Sequence, residues 1–213
     1  MTTPQKRQYN NLYPSVTQVL DVLRKIGLEN WFKWNTIKFI NEESSKGKAI
    51  GTLIHQAIQD HIELREVKVT TEYPEEVMNA LKAFMQFKTD HPEIVLHKSE
   101  MMLTSEKYRY NGTLDCLAER NGIPIIVDWK SSRCKDKNIP DIYLEYVYQV
   151  AAYVKAYNEV SNANITQAII VSLAKDKVAY ALKEVNEQDI NEAFEQVFIP
   201  ALAIYEYQRH HIV

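Results

Sequence analysis

The sequence predicts an α/β fold, a single domain over 1–213 with a helical N-terminal portion (1–90) and a sheet core and C-terminal helix (91–213). Three observations carry this. Apolar residues recur at helical spacing in the first portion. The period then shortens to that of strands, and Asn121-Gly122 lies between two apolar runs, a strong signal for a two-residue hairpin. Beyond that hairpin, helix, strands and helix follow in turn, with no internal repeat or long linker.

The elements follow in order. Ser15 is the expected N-cap of a helix over 13–27, with Val16, Leu20 and Leu23 on its apolar side. A second helix is expected over 30–40, with Trp31 and Trp34 on it. A third, over 46–66, carries Ile50, Leu53, Ile54, Ala57 and Ile58 on one stripe. Pro74 interrupts, and a fourth helix covers 75–91 with Val77, Leu81, Phe84 and Phe87 on its apolar face. Strands are expected over 93–103, 108–120 and 123–130. Pro140 precedes a helix over 141–160, the segments 165–175 and 177–185 form another candidate hairpin, and a final helix covers 187–207.

Composition narrows the function classes. The chain is 46% apolar with 5 Gly and 7 Pro, so it is globular rather than disordered. It lacks an apolar run of ~18 residues, so no membrane span is expected. The opening MTTPQKRQYN lacks an apolar h-region, so no secretory signal is expected. Cys116 and Cys134 are the 2 cysteines, which excludes a zinc or iron–sulfur site built from four and suits a reducing, cytoplasmic compartment. With a net charge of −3, any nucleic-acid surface must be local.

The hairpin defines the site. With Asn121-Gly122 as the turn, Arg120 faces Ile123, and counting outward Cys116 faces Val127 and Asp115 faces Asp128. Facing residues share a face, and Lys130, two beyond Asp128, shares it too. Like charges placed opposite one another are destabilising, and two buried carboxylates raise each other's pKa unless a cation intervenes. Lys130 supplies one positive charge. A divalent ion supplies more, and carboxylate oxygens suit magnesium or manganese. Taken alone, Asp128-Trp129-Lys130 reads as a strand terminus with a solvated salt bridge; the facing Asp115 favours a metal site.

These residues resemble the PD-(D/E)xK nuclease core. Gly112-Thr113-Leu114-Asp115, then Asp128-Trp129-Lys130-Ser131-Ser132, then Gln149-Val150-Ala151-Ala152-Tyr153, is similar to the RecB-type exonuclease branch. The histidine of GTLIHQAI, together with PSVTQVL and DCLAERNG, makes the match most like the mitochondrial genome-maintenance exonucleases and their phage and bacterial relatives. It covers most of 13–160. Leu114 stands where a proline often precedes the first acid, and the four cysteines of iron–sulfur relatives are missing, so no cluster is expected.

The resemblance implies a restriction-endonuclease-like core, a central mixed sheet flanked by helices. It implies Mg2+ or Mn2+ held by Asp115 and Asp128, with His55 and the Trp129 carbonyl as further ligands. Lys130 would orient or deprotonate the attacking water and stabilise charge on the phosphate. Gln149 and Tyr153, four apart on one helix, would buttress the lysine or touch the DNA backbone. Each has a plainer reading. His55 alone would be a satisfied structural histidine, Gln149 and Tyr153 the edge of a core helix, and Glu100 an ordinary strand residue or a neighbour of the site. Trp31 and Trp34 read as core or interface rather than base-stacking platforms. Ser131, Ser132, Arg133, Lys135, Lys46 and Lys48 are candidates for nucleic-acid contact, with solvated loops the alternative for the charged ones. The implied activity is that of a metal-dependent DNA exonuclease acting on single strands or free ends, in a bacterial or phage-infected cell. A structure-specific endonuclease and a non-catalytic nucleic-acid-binding module are the alternatives; Asp115, Asp128 and Lys130 are all present, which disfavours the second.

Overall fold

The computed structural model describes residues 12–23, 26–63, 73–134 and 137–211. Its centre is the expected hairpin. Asn121 and Gly122 have φ of 51° and 81°, the left-handed values that a two-residue type I′ turn requires. The turn joins β2 (Tyr110–Arg120) to β3 (Ile123–Ser132) in the counted register, Arg120↔Ile123 through Cys116↔Val127. β1 (Ile94–Ser105) pairs antiparallel with β2. On the other side β3 runs parallel to β4 (Ala168–Ala174), which is antiparallel to β5 (Tyr180–Val185). The result is a mixed sheet of order β1-β2-β3-β4-β5. A parallel pair needs a crossover, and the helix α5 (Leu144–Ser161) provides it.

Helices cover both faces. α3 (Ile37–Ile62) and α4 (Glu75–Asp90) place Ile50, Ile54, Ile58, Phe84 and Phe87 against Ile125, Val127 and Trp129. On the opposite face α5 packs with α1 (Val16–Leu20), α6 (Glu187–Ala193) and α7 (Ile199–His211) over Ile126 and Ile170. No helix among the described residues is long and apolar enough to cross a membrane.

The N-terminal helices differ from the expected ones. Ser15 does cap α1, in a capping box with Gln18, but the helix stops after Leu20 instead of continuing to 27. Its C-cap is Asp21, a residue type whose side chain competes with helical backbone bonding. α2 (Ile26–Trp34) is a separate helix. The next break falls at Asn35-Thr36, where Thr36 accepts a hydrogen bond from Phe39 N–H and starts α3. The single α3 therefore merges the end of the expected second helix with the third, and 64–66 lie outside the described residues. Leu53 leaves the apolar stripe, 38% exposed, while Ile50, Ile54, Ala57 and Ile58 are buried. Trp34 is 86% exposed and is no core residue; the Trp31 side chain lies outside the described ones. The final helix contains a π turn, Phe194–Phe198, between α6 and α7. Pro200 follows two residues after the turn; it has no N–H and its ring collides with the carbonyl four residues back, and one wider turn accommodates this.

Candidate active site

The ladder between β2 and β3 ends at Cys116↔Val127, one pair short of the two aspartates. Asp115 uses its side chain instead: Oδ2 accepts the Trp129 backbone N–H at 2.8 Å. The carbonyl of a strand residue leaves from the same edge as its N–H, so the Trp129 carbonyl is on Asp115's edge. The other neighbour of Asp115 is also irregular. β1–β2 pairing passes from Ser99↔Cys116 to Met101↔Leu114, omitting Glu100 and Asp115, and Glu100 has φ of 50°. Side-chain alternation slips at this point. Leu114 joins the cluster under α5, whereas Cys116 and Ala118 join the one under α3 and α4.

The irregularity gathers three ligand-type groups. His55 Nδ1, on α3, lies 3.6 Å from Asp115 Oδ1 and 3.7 Å from Glu100 Oε1. Ligand atoms of His55, Glu100 and Asp115 all fall within 4.8 Å of one another, a spacing that one cation can bridge. Burial disfavours charge on His55, but Asp115 and the Glu100 contact outweigh it and raise its pKa. The cleft above, ≈ 560 Å³, is lined by Lys48, Gly51, Thr52, His55, Gln56, Gln59, Glu100 and Asp115. Most of that lining is the solvent side of α3, whose opposite side packs on the sheet.

Asp128 is 0% exposed and lies deeper than these three. Burial pushes its carboxyl well above the usual range, against the pull of Lys130. Lys130 Nζ is 2.7 Å from Asp128 Oδ2, yet neither Asp128 oxygen has a partner in hydrogen-bond geometry. Burial works against charge on Lys130, but Asp128 and Asp115 hold its pKa up. Lys130 Nζ also sits 5.2 Å from the centre of the Tyr146 ring on α5. His55, Glu100 and Asp115 are the groups whose ligand atoms lie close enough together for one hard divalent ion, with the buried, incompletely bonded Asp128 carboxylate behind them.

The other candidates divide. Gln149 Nε2 donates to Tyr153 Oη at 2.7 Å, and the Tyr153 ring lies against Gly112, where a Cβ would come within 2.8 Å of it. That glycine is required by close packing, which links the first and last parts of the quoted motif. Ser131 Oγ is 3.9 Å from where a Cβ on Gly51 would be, so α3 passes beside the end of β3. Ser132 Oγ is 3.2 Å from Ser172 Oγ. Lys48 lines the cleft. Lys46 and Arg133 both approach Glu76. Lys135 lies outside the described residues.

Sequence reasoning left Glu100 evenly balanced and missed Tyr146 and Glu76. Glu100 joins the site because its left-handed backbone takes it out of the pairing with Asp115, and a strand pattern does not announce such a break. Tyr146 carried a usable signal, since it stands three residues before Gln149 on the same helix.

No family model matches the chain. It is 28% identical over 185 residues, 78% of its length, to mitochondrial genome maintenance exonuclease 1 of Xenopus tropicalis. It spans about half of that relative, 50% of its length. A presumptive exonuclease from Eubacterium rectale superposes with a TM-score of 0.58 at 14% identity, covering 100% of this chain and 94% of that one. An alkaline exonuclease from Laribacter hongkongensis aligns at 0.42 and 12% identity over 93% of this chain and 92% of that one, too distant to carry an argument. The mixed sheet flanked by helices is the fold it shares with that Eubacterium rectale structure. The fold shared with the Eubacterium rectale structure and the sequence likeness to a genome maintenance exonuclease are both consistent with the resemblance to the PD-(D/E)xK exonucleases.

Proposed function

We propose that this chain is a divalent-metal-dependent DNA exonuclease acting on single-stranded DNA or free ends. The observation that carries the reading is the buried Asp128 carboxylate, incompletely bonded and held by Lys130 beside Asp115. Mg2+ or Mn2+ bound there would polarise a phosphoryl oxygen and lower the pKa of water. Asp115 is fixed for this by the Trp129 N–H, and His55 and Glu100 close the site from α3 and β1. Lys130, steadied by Asp128 and the Tyr146 ring, carries the positive charge that meets developing negative charge on the phosphate. Gln149 and Tyr153 act behind this group, positioning α5 against β2 through the contact at Gly112. His55 makes α3 one wall of the cleft, and a strand led along that wall into the site would need a free end.

The test is digestion of end-labelled linear single-stranded, blunt duplex and circular single-stranded DNA with Mg2+, with Mn2+ and with chelator. The expected result is rapid loss of linear single strands with metal, little action on the duplex, and survival of the circle. Cleavage in excess chelator would sink the metal reading. Efficient cutting of circles would retire threading and leave the two-aspartate chemistry standing.

A further inference from the structure

We propose that Lys46, Arg133 and Lys175 form a subsite for a backbone phosphate of the bound strand, filled by the Glu76 carboxylate when no strand is present. The proposal rests on the nuclease reading for its ligand and adds a contact outside the metal cleft.

One oxygen, Glu76 Oε1, lies 2.8 Å from Lys46 Nζ and 3.9 Å from Arg133 Nη2. Two cations from different elements thus converge on a single anionic oxygen, the arrangement a phosphate would use. Lys175 follows β4, and its backbone lies beside both partners. Its N–H donates to the Ser132 carbonyl at 2.8 Å, beside Arg133, and its carbonyl accepts from Asn79, one turn along α4 from Glu76. Burial and then the Arg133 charge lower the Lys175 pKa, with Lys46 adding to this and Glu76 and Glu43 opposing it. Asp176, the next residue, is spent on the Cys134 N–H.

Position relates this cluster to the cleft. Lys46 lies on α3 one to two turns before the cleft-lining Gly51 and Thr52, on a different side of the helix from Lys48. Arg133 follows Lys130 by three, a reach of at most about 10 Å along an extended chain. A strand running from the metal cleft past the start of α3 and the end of β3 would bring a further phosphate to Lys46, Arg133 and Lys175. Glu76 must then give way; its side chain is 22% exposed.

The test measures binding of a fluorescently labelled single-stranded oligonucleotide by anisotropy in chelator, across a salt series. Lys46→Ala, Arg133→Ala and Lys175→Gln should each weaken binding several-fold and reduce the salt slope by roughly 0.7, one phosphate contact. Glu76→Gln should tighten binding several-fold. Lys183→Ala, on β5, is the control for loss of general positive charge. Thermal melts check folding; Lys175 is half-buried, so the exposed Arg133 and Lys46 variants remain decisive if Lys175→Gln misfolds. Unchanged slopes, losses equal to that of Lys183→Ala, or unaltered binding by Glu76→Gln would overturn the subsite. Sensitivity confined to added inorganic phosphate, with oligonucleotide binding unaltered, would overturn it as a backbone contact. Binding is read without metal, so this outcome is independent of whether Asp128 supports cleavage.

Discussion

The two ends of the β2–β3 pair are built on opposite principles. At the turn end, five successive residue pairs from Arg120↔Ile123 to Cys116↔Val127 keep strict register. At the other end pairing stops. Asp115 substitutes a carboxylate for a ladder bond, Glu100 takes a left-handed backbone, and a buried Asp128 lacks directed partners. Among the described residues, the buried side-chain polar atoms without a hydrogen-bond partner are Asp128 Oδ1 and Oδ2 and Trp129 Nε1, on two consecutive residues. Strain and unsatisfied charge are costly, and a fold retains them where they serve a purpose. The regular end holds the irregular end in place.

The largest effect should come from breaking the irregular end chemically. Asp128→Asn is expected to remove detectable cleavage. Lys130→Ala should lower kcat by roughly 100-fold or more while metal binding persists in calorimetry, because it removes transition-state stabilisation and no ligand. If calorimetry instead shows that Lys130→Ala no longer binds metal, the lysine is a structural counter-charge for Asp128.

A subtler substitution sharpens the contrast. A non-glycine residue in the left-handed region costs about 1–2 kcal/mol, so Glu100→Gly relieves strain while deleting a carboxylate from the cluster. Glycine's greater freedom in the unfolded chain takes back about 0.5–1 kcal/mol. Glu100→Gly should therefore melt no lower than the wild type in chelator, yet lose most of the stabilisation that Mn2+ confers and much of the activity. A clear drop in chelator stability would mean that Glu100 holds the strands together and is not held in strain by them.

How far these features were legible follows from how local each one is. The hairpin register could be counted from Asn121-Gly122 because two residues of left-handed preference determine the pairing on both sides. Asp115, Asp128 and Lys130 followed by the same counting, though it placed the aspartates in a ladder pair that the structure replaces with a side-chain bond. The count could not detect the left-handed backbone at Glu100, where β1–β2 pairing omits Glu100 and Asp115 while the register on either side is kept. Helix ends were less readable still. Leu20 and Leu23 continue an apolar period past the point where α1 stops, at the Asp21 C-cap, with Val16, Val19 and Leu20 in the core. Arg133 and Lys46 were visible as charges, but Glu76 between them comes from a third element and is near them only in space.

The smallest effect tests whether the two ends are independent. Gly122 has φ of 81°, and a Cβ there would meet little: Glu119 Oε1 at 3.9 Å is ordinary contact. The cost of Gly122→Ala is therefore one of backbone conformation, about 1 kcal/mol, which in a chain of this size lowers Tm by roughly 2–4 °C. Between the turn and Asp115 lie the five paired positions, flanked by β1 and β4, and these should absorb the distortion before it reaches the metal groups. Cleavage per folded molecule should stay at the wild-type level, and so should the Mn2+ concentration that half-saturates it. The alternative outcome is equally definite. A one-residue slip of β2 against β3 would turn Asp115 away from the Trp129 N–H and reverse every side chain behind it. Activity falling far more than a shift of a few degrees explains would show that the turn, and not the packing on the two faces, keeps the aspartates in place.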